Sequence, residues 1–214
     1  MPTKHLSDAI LFDYAAGNLS EGWSLAIATH IALCPECRSR VLAAEAIGGA
    51  MMEAIEPEPV GEDVLAATLA RIEAGGTAPE PRKPSPPSDP LFPEPLRSYL
   101  GNGRGIAWRR LSPSAQTFII PTGDRSTTAR LLRIAAGAAM PVHSHRGREL
   151  TLVLQGAFHD EGGMFVRGDI EEADDEVEHQ PIAVAGEDCI CLAVTDARLK
   201  LRGLPRLFQP FLGI

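Results

Sequence analysis

From Pro79 to Pro95, seventeen residues hold eight prolines, PEPRKPSPPSDPLFPEP. Each proline fixes its own φ and removes a backbone donor, so neither a helix nor a sheet ladder runs through such a stretch, and an extended, polyproline-like path is expected. At 214 residues the chain is close to twice the size of a small domain, and the prolines divide it into residues 1–77, a linker over 78–95, and residues 96–214. The two sides also differ in pattern. Upstream the apolar spacing is helical and rich in alanine; downstream it alternates in short runs broken by glycine. No repeat of solenoid type is present.

With 44% of residues apolar and 22% charged, and a mean hydropathy of −0.02, the composition is that of a soluble globular protein. No run approaches the roughly 20 apolar residues of a membrane span, and Met1 to Ile10 lacks the charged start and apolar stretch of a signal peptide. A cytoplasmic chain without a membrane role is expected. There a disulfide framework is disfavoured, so Cys34, Cys37, Cys189 and Cys191 are weighed as metal ligands, redox groups or buried small apolar residues. The net charge of −8 is localised: residues 1–77 carry four Lys/Arg against eleven Asp/Glu, whereas residues 96–214 carry fourteen of each. An acidic module is repelled by nucleic acid and attracted to basic surfaces. This points to a nucleic-acid-binding protein as partner and away from direct DNA binding; the plainer alternative is an acidic face that keeps a small domain soluble.

In the first part, Ser7 is placed to cap a helix through Tyr14 that Gly17 ends, and Ser20 to cap a second from Glu21 to about Leu33. Trp23, Ile27, His30 and Cys34 then share one face. Pro35 disfavours helix at Cys34 but suits the first turn of a third helix reaching Gly48 or beyond. A fourth, with Leu65, Leu69 and Ile72 on one side, ends at Gly75-Gly76. Four such helices make a core small enough to need a metal or a partner.

His30-x3-Cys34-x2-Cys37 sets a helical His/Cys pair beside a Cys-Pro-Glu-Cys turn, so three ligands can converge on one tetrahedral zinc ion. Zinc needs a fourth, and His5, just before the first helix, is the best candidate. Two buried thiols and an ordinary helix histidine are the plainer alternative. Over residues 1–77 these positions resemble the zinc-binding anti-sigma domain, whose signature is H-x3-C-x2-C with an additional upstream His or Cys. His30, Cys34 and Cys37 match, and His5 sits where the upstream ligand belongs. The resemblance implies a helical domain that holds an extracytoplasmic-function sigma factor away from RNA polymerase. The acidity fits independently, because a sigma factor carries basic surface for promoter DNA.

Past the linker, strands are expected at 106–111, 117–120, 129–134, 149–155, 164–166, 182–185 and 189–194, the spacing of an all-β sandwich or barrel. Within them lies Gly137-x5-His143-x-His145-x3-Glu149-x6-Gly156. On an extended chain His143 and His145 point to one face, Glu149 opens the next strand after Gly147, and His179 supplies a fourth possible ligand. This matches the first cupin motif, G-x5-H-x-H-x3,4-E-x6-G. Of the second, G-x5-P-x-G-x2-H-x3-N, only His179 survives: Gly168 leads into the acidic run Glu171–Glu178, which reads as a solvated loop. Cys189 and Cys191 share a strand face and read as buried wall residues, with a C-x-C redox pair as the sharper alternative. The basic-apolar tail Arg198–Ile214 is placed to pack on the barrel or to contact a partner.

Taken together, the chain resembles the cupin-bearing zinc anti-sigma factors: an all-α zinc-binding domain followed by an all-β cupin (jelly-roll) barrel. The resemblance implies zinc on His5, His30, Cys34 and Cys37, and a divalent metal (zinc foremost; iron, manganese or nickel otherwise) on His143, His145, Glu149 and His179. It also implies a non-enzymatic regulator that sequesters an extracytoplasmic-function sigma factor and releases it on an oxidative signal of the singlet-oxygen type, for which the cupin is needed. The competing expectation is a cupin oxygenase or isomerase with an accessory zinc domain.

Overall fold

The computed structural model describes residues 1–75, 91–101, 105–197 and 200–201. Most of the expected linker and of the tail Arg198–Ile214 therefore lies outside the described residues. Five helices come first: α1 (Asp8–Ala15), α2 (Glu21–Leu33), α3 (Pro35–Glu53), α4 (Glu62–Glu73) and α5 (Glu94–Leu100). The strands follow: β1 (Arg109–Ser112), β2 (Ala115–Ile119), β3 (Thr128–Ile134), β4 (His143–Ser144), β5 (Glu149–Gln155), β6 (Ala157–Asp160), β7 (Gly163–Val166), β8 (Ile170–Ala173), β9 (Glu178–His179), β10 (Ile182–Ala183), β11 (Cys189–Thr195) and β12 (Lys200–Leu201). All named pairings are antiparallel: one six-stranded sheet ordered β1-β2-β3-β11-β5-β8 and two three-stranded sheets, β10-β6-β7 and β12-β4-β9. This is the expected order of a helical domain followed by a β barrel.

The central strands explain why the barrel and the helices are not separate in space. Every residue of β11, CICLAVT, is buried. Cys189 and Cys191 join Ile134, Val153, Phe158 and Phe165 in the barrel interior, while Ile190, Leu192 and Val194 share a second core with Leu11, Trp23 and Ile27 of the helices. A strand buried on both faces reads as a continuous apolar run rather than an alternating one. Helix α2 is likewise covered over most of its surface, with Gly22, Trp23, Leu25, Ala26, Ile27, Thr29 and His30 buried and a stripe through Ser24, Ala28 and Ala32 more open, because it packs on the other helices and on β5 and β11. Arg148 of the barrel stacks over the Trp23 ring, 5.5 Å from its centroid.

Local expectations at the helix ends hold in outline and differ in detail. Gly17, at φ +70°, follows α1, and Pro35 stands in the first turn of α3, where its missing N–H costs nothing. Ser7 and Ser20 have the extended backbone of N-cap residues, but neither side chain caps. Ser7 instead donates its N–H and O–H to the Glu172 carboxylate, 2.6 and 3.0 Å away. Helix α3 runs past Gly48 to Glu53. Helix α4 forms, but none of its residues is buried; Leu65, Leu69 and Ile72 face outward, so the fourth helix does not join the small core expected of it. Its place is taken by α5, which begins within the proline stretch with Pro95 in its first turn, buries Leu96 and bonds Tyr99 Oη to Glu21 Oε1 of α2 at 2.9 Å. Among the described residues no helix is long and apolar enough to cross a membrane.

Candidate metal centres

At the α2–α3 junction, Cys34 holds an extended backbone, φ −111° and ψ 102°, because the ring of Pro35 crowds any helical geometry there. The resulting corner lays the last turn of α2, with His30, beside the first turn of α3, with Cys37. The segment before α1 brings in His5. Its Nδ1 lies 3.3 Å from Cys34 Sγ and 3.7 Å from Cys37 Sγ, and His5, His30, Cys34 and Cys37 each offer a ligand atom within 4.8 Å of all the others. The sequence named these four, and the fold brings them together.

The protonation states suit a soft cation. His30 Nδ1 lies 3.0 Å from the Gly168 carbonyl oxygen. A carbonyl only accepts, so that nitrogen carries the proton and the lone pair resides on Nε2, which is buried without a protein partner. Burial lowers the His30 pKa to about 4 against the opposing pull of the Gly168 bond, keeping the ring neutral near pH 7. Burial, with Cys34 alongside, pushes the Cys37 thiol up to about 11, against the opposing pull of a Leu6 backbone bond and the Arg40 charge, so the thiolate awaits a cation. His5 Nε2 reaches Glu36 Oε2 at 3.2 Å, a carboxylate–histidine pairing that orients metal-binding rings. Two thiols, two imidazoles and an orphaned buried nitrogen fit tetrahedral zinc.

The second cluster sits inside the barrel mouth. Strands β4 and β9 pair with His143 directly opposite His179, and the alternation of an extended chain returns His145 to the same side. Their Nε2 atoms converge: His179 lies 3.1 Å from His143 and 3.3 Å from His145. His143 Nδ1 donates to the Pro141 carbonyl at 2.9 Å, which leaves its Nε2 as a lone pair. His179 Nδ1 is held by Asp160 Oδ2 at 2.8 Å and Glu171 Oε1 at 3.3 Å. Burial opposes a charge on His179, but the hydrogen bonds and charges of Glu171 and Asp160 prevail and lift its pKa to about 9; burial lowers those of His143 and His145. The three Nε2 atoms thus face one another at hydrogen-bonding distance, with His145 Nδ1 buried and without a hydrogen-bond partner, and the point they surround is the position a divalent cation would take. Glu149, the fourth expected ligand, stands apart from the three-histidine set. Its Oε2 is 3.6 Å from His145 Nδ1 and its Oε1 accepts from Thr151 Oγ1 at 2.8 Å, so it lines the same cavity.

Sequence reasoning missed Asp160 and Glu171. Glu171 belongs to the run expected as a solvated loop; instead β8 pairs with β5, Thr151 opposite Glu171, and its carboxyl is turned toward His179, where burial raises its pKa. Cys189 and Cys191 are buried with sulfurs 3.6 Å apart. The hydrogen bond between these free thiols, with burial, holds the Cys191 thiol well above its ordinary pKa, and both side chains are part of the barrel's buried wall.

A helical module with a His2Cys2 cluster, packed on a cupin barrel with a three-histidine cluster, is the class of protein that fold and sites define. The chain belongs to the ChrR family. Residues 100–198 match the ChrR cupin-like domain. Anti-sigma-E factor ChrR of Cereibacter sphaeroides is 49% identical over 212 residues, 98% of each chain. The crystal structure of Rhodobacter sphaeroides SigE in complex with the anti-sigma ChrR matches with a TM-score of 0.78 and 47% identity, covering 91% of this chain and 99% of that one.

Proposed function

We propose that this chain is an anti-sigma factor that sequesters an extracytoplasmic-function sigma factor in the cytoplasm through residues 1–77, and that the cupin of residues 96–214 is needed for release on an oxidative, singlet-oxygen-type signal. Zinc on His5, His30, Cys34 and Cys37 stabilises the helical module, since ligation contributes directly to folding free energy in so small a unit. His143, His145 and His179, with Glu149 beside them, would hold a divalent metal in the cupin: zinc would act there as a Lewis acid, and iron, manganese or nickel would add redox chemistry.

The observation that carries the reading is the apolar surface of α4 and the end of α3, left exposed among the described residues. Met51, Met52, Val64, Leu65, Leu69 and Ile72 are each about half exposed or more, on a module with eleven acidic and four basic residues. A large apolar patch rimmed by charge marks a protein partner, and a basic sigma factor is the complementary one; the related structure holds SigE on its ChrR. The test is co-purification of the full chain with sigma factors of its own organism. A one-to-one complex is expected, weakened at least tenfold by Leu65→Asp with Leu69→Asp while the thermal transition is unchanged. A complex indifferent to both substitutions contradicts the assignment.

Turnover of a small substrate in the cupin is the competing reading, favoured by the apolar lining of Leu132, Met140 and Phe158 above His143 and His179. The related chain in the SigE complex is an anti-sigma factor, which supports a receiver rather than an enzyme.

A further inference from the structure

Five consecutive residues, Gly168 to Glu172, touch the surroundings of both metal centres. The Gly168 carbonyl fixes the tautomer of His30. The approach is close: Gly168 has φ +91°, and a Cβ there would lie 2.7 Å from Pro2 Cγ, so only glycine allows it. Asp169 is fully buried, and a buried carboxylate is tolerated only when its lone pairs are satisfied. Oδ2 accepts from Val166 N–H at 2.9 Å within the barrel, but Oδ1 accepts from the N–H groups of Thr3 and Lys4, the latter at 3.0 Å, immediately before His5. Alternation along β8 then turns Glu171 into the barrel, against His179 Nδ1, and Glu172 outward, onto Ser7 at the start of α1.

We propose that Gly168–Glu172 is a shared outer shell for the two centres: Gly168 and Asp169 position His30 and His5, Glu171 positions His179, and the short strand between them makes metal affinity at one site depend on the state of the other. The coupling rests on the reading of both clusters as metal sites. It runs through the direct contact between barrel and helices rather than along the proline linker. By linkage it acts equally in both directions: emptying the cupin loosens the N-terminal site, and emptying the N-terminal site loosens the cupin.

The test uses the full chain loaded with cobalt(II). Thiolate-to-cobalt charge-transfer absorption reports the Cys34/Cys37 site alone, because the cupin cluster has no sulfur ligand. Its decay after addition of a chelator gives the release rate. Replacing both His143 and His145 by alanine is expected to speed release from the N-terminal site at least fivefold, the lower end of ordinary coupling; Glu171→Gln, which keeps shape and hydrogen-bonding capacity, does so in milder form should the double variant fail to fold. Asp169→Asn, or Thr3→Pro made from the other side of the contact, speeds release on its own, and in either background emptying the cupin adds less than twofold because the connection is already cut. A purely structural role would give additive effects. A charge-transfer band with a release rate indifferent to the cupin variants overturns the coupling alone; absence of the band from the wild-type chain overturns the metal assignment and the coupling with it.

Discussion

Gly22 of α2 lies so close to Thr127, at the edge of the barrel, that a Cβ on it would stand 2.2 Å from Thr127 Oγ1 and 3.3 Å from Val194 Cγ1. The hydroxyl can swing aside only by giving up its donation to Asp124 Oδ2 at 2.6 Å. In an isolated helix, alanine in place of glycine gains about 1 kcal/mol. Here Gly22→Ala is expected to destabilise instead, lowering the melting temperature of the full chain by several degrees. Calorimetry checks this, and an unchanged or raised transition contradicts the close packing of α2 on the barrel.

Zinc affinity of the N-terminal centre rises with pH. In the metal-free chain burial holds Cys37 protonated up to about pH 11, so a metal entering at neutral pH displaces that proton, and affinity falls about tenfold per unit of acidification for each proton displaced. His30, whose pKa burial lowers to about 4, adds nothing to this slope above about pH 5. Competition with a chromophoric chelator between about pH 6.5 and 8.5 measures it. Cys37→Ser removes both the site and the slope; a pH-independent affinity in the wild type contradicts the assignment of Cys37 as a ligand.

Glu149→Ala, or replacement of both His143 and His145, is expected to weaken or abolish metal binding in the cupin and, with zinc in excess so that the N-terminal site stays filled despite the coupling, to leave sigma inhibition in place, because the apolar surface of α3 and α4 is untouched. In cells such variants are expected to hold the sigma factor silent and, with the cupin as the proposed receiver, to fail to release it under oxidative challenge. A reporter from a sigma-dependent promoter reads both properties, and normal induction would move the sensing role to His5, Cys34 and Cys37.

Asp160 holds His179 Nδ1 at 2.8 Å and thereby keeps Nε2 turned to the cluster. Asp160→Asn replaces a charged acceptor by a neutral one and is expected to cost 10- to 100-fold in cupin metal affinity, the usual effect of losing such a partner. Calorimetric titration with the metal measures it, and an affinity within about threefold of wild type shows that Glu171 suffices.

What the sequence disclosed, and what it hid, follows from range. His30, Cys34 and Cys37 were legible because one helical turn and one proline corner bring them together, and His143 and His145 because a two-residue spacing fixes a face. Glu171 was not, since its role depends on β8 pairing with β5, a register that local pattern does not encode and that the acidity of the run disguised. Asp160, between His159 and Glu161 ahead of the Gly162-Gly163 turn, fell in no motif spacing. Helix α5 was hidden by its prolines, which exclude a helix interior but not a first turn. The burial of most of α2 blurred its amphipathic signal, and the joint core it forms with β5 and β11 was masked by a linker that separates the halves in sequence only.

The central claim is sequestration, and transcription in a purified system tests it most directly. With RNA polymerase, a sigma factor that co-purifies with the chain and a promoter it serves, a stoichiometric amount of zinc-loaded chain is expected to abolish the transcript, and the Cys34→Ser variant to leave it intact. Undiminished transcription in the presence of the wild-type chain would contradict the account.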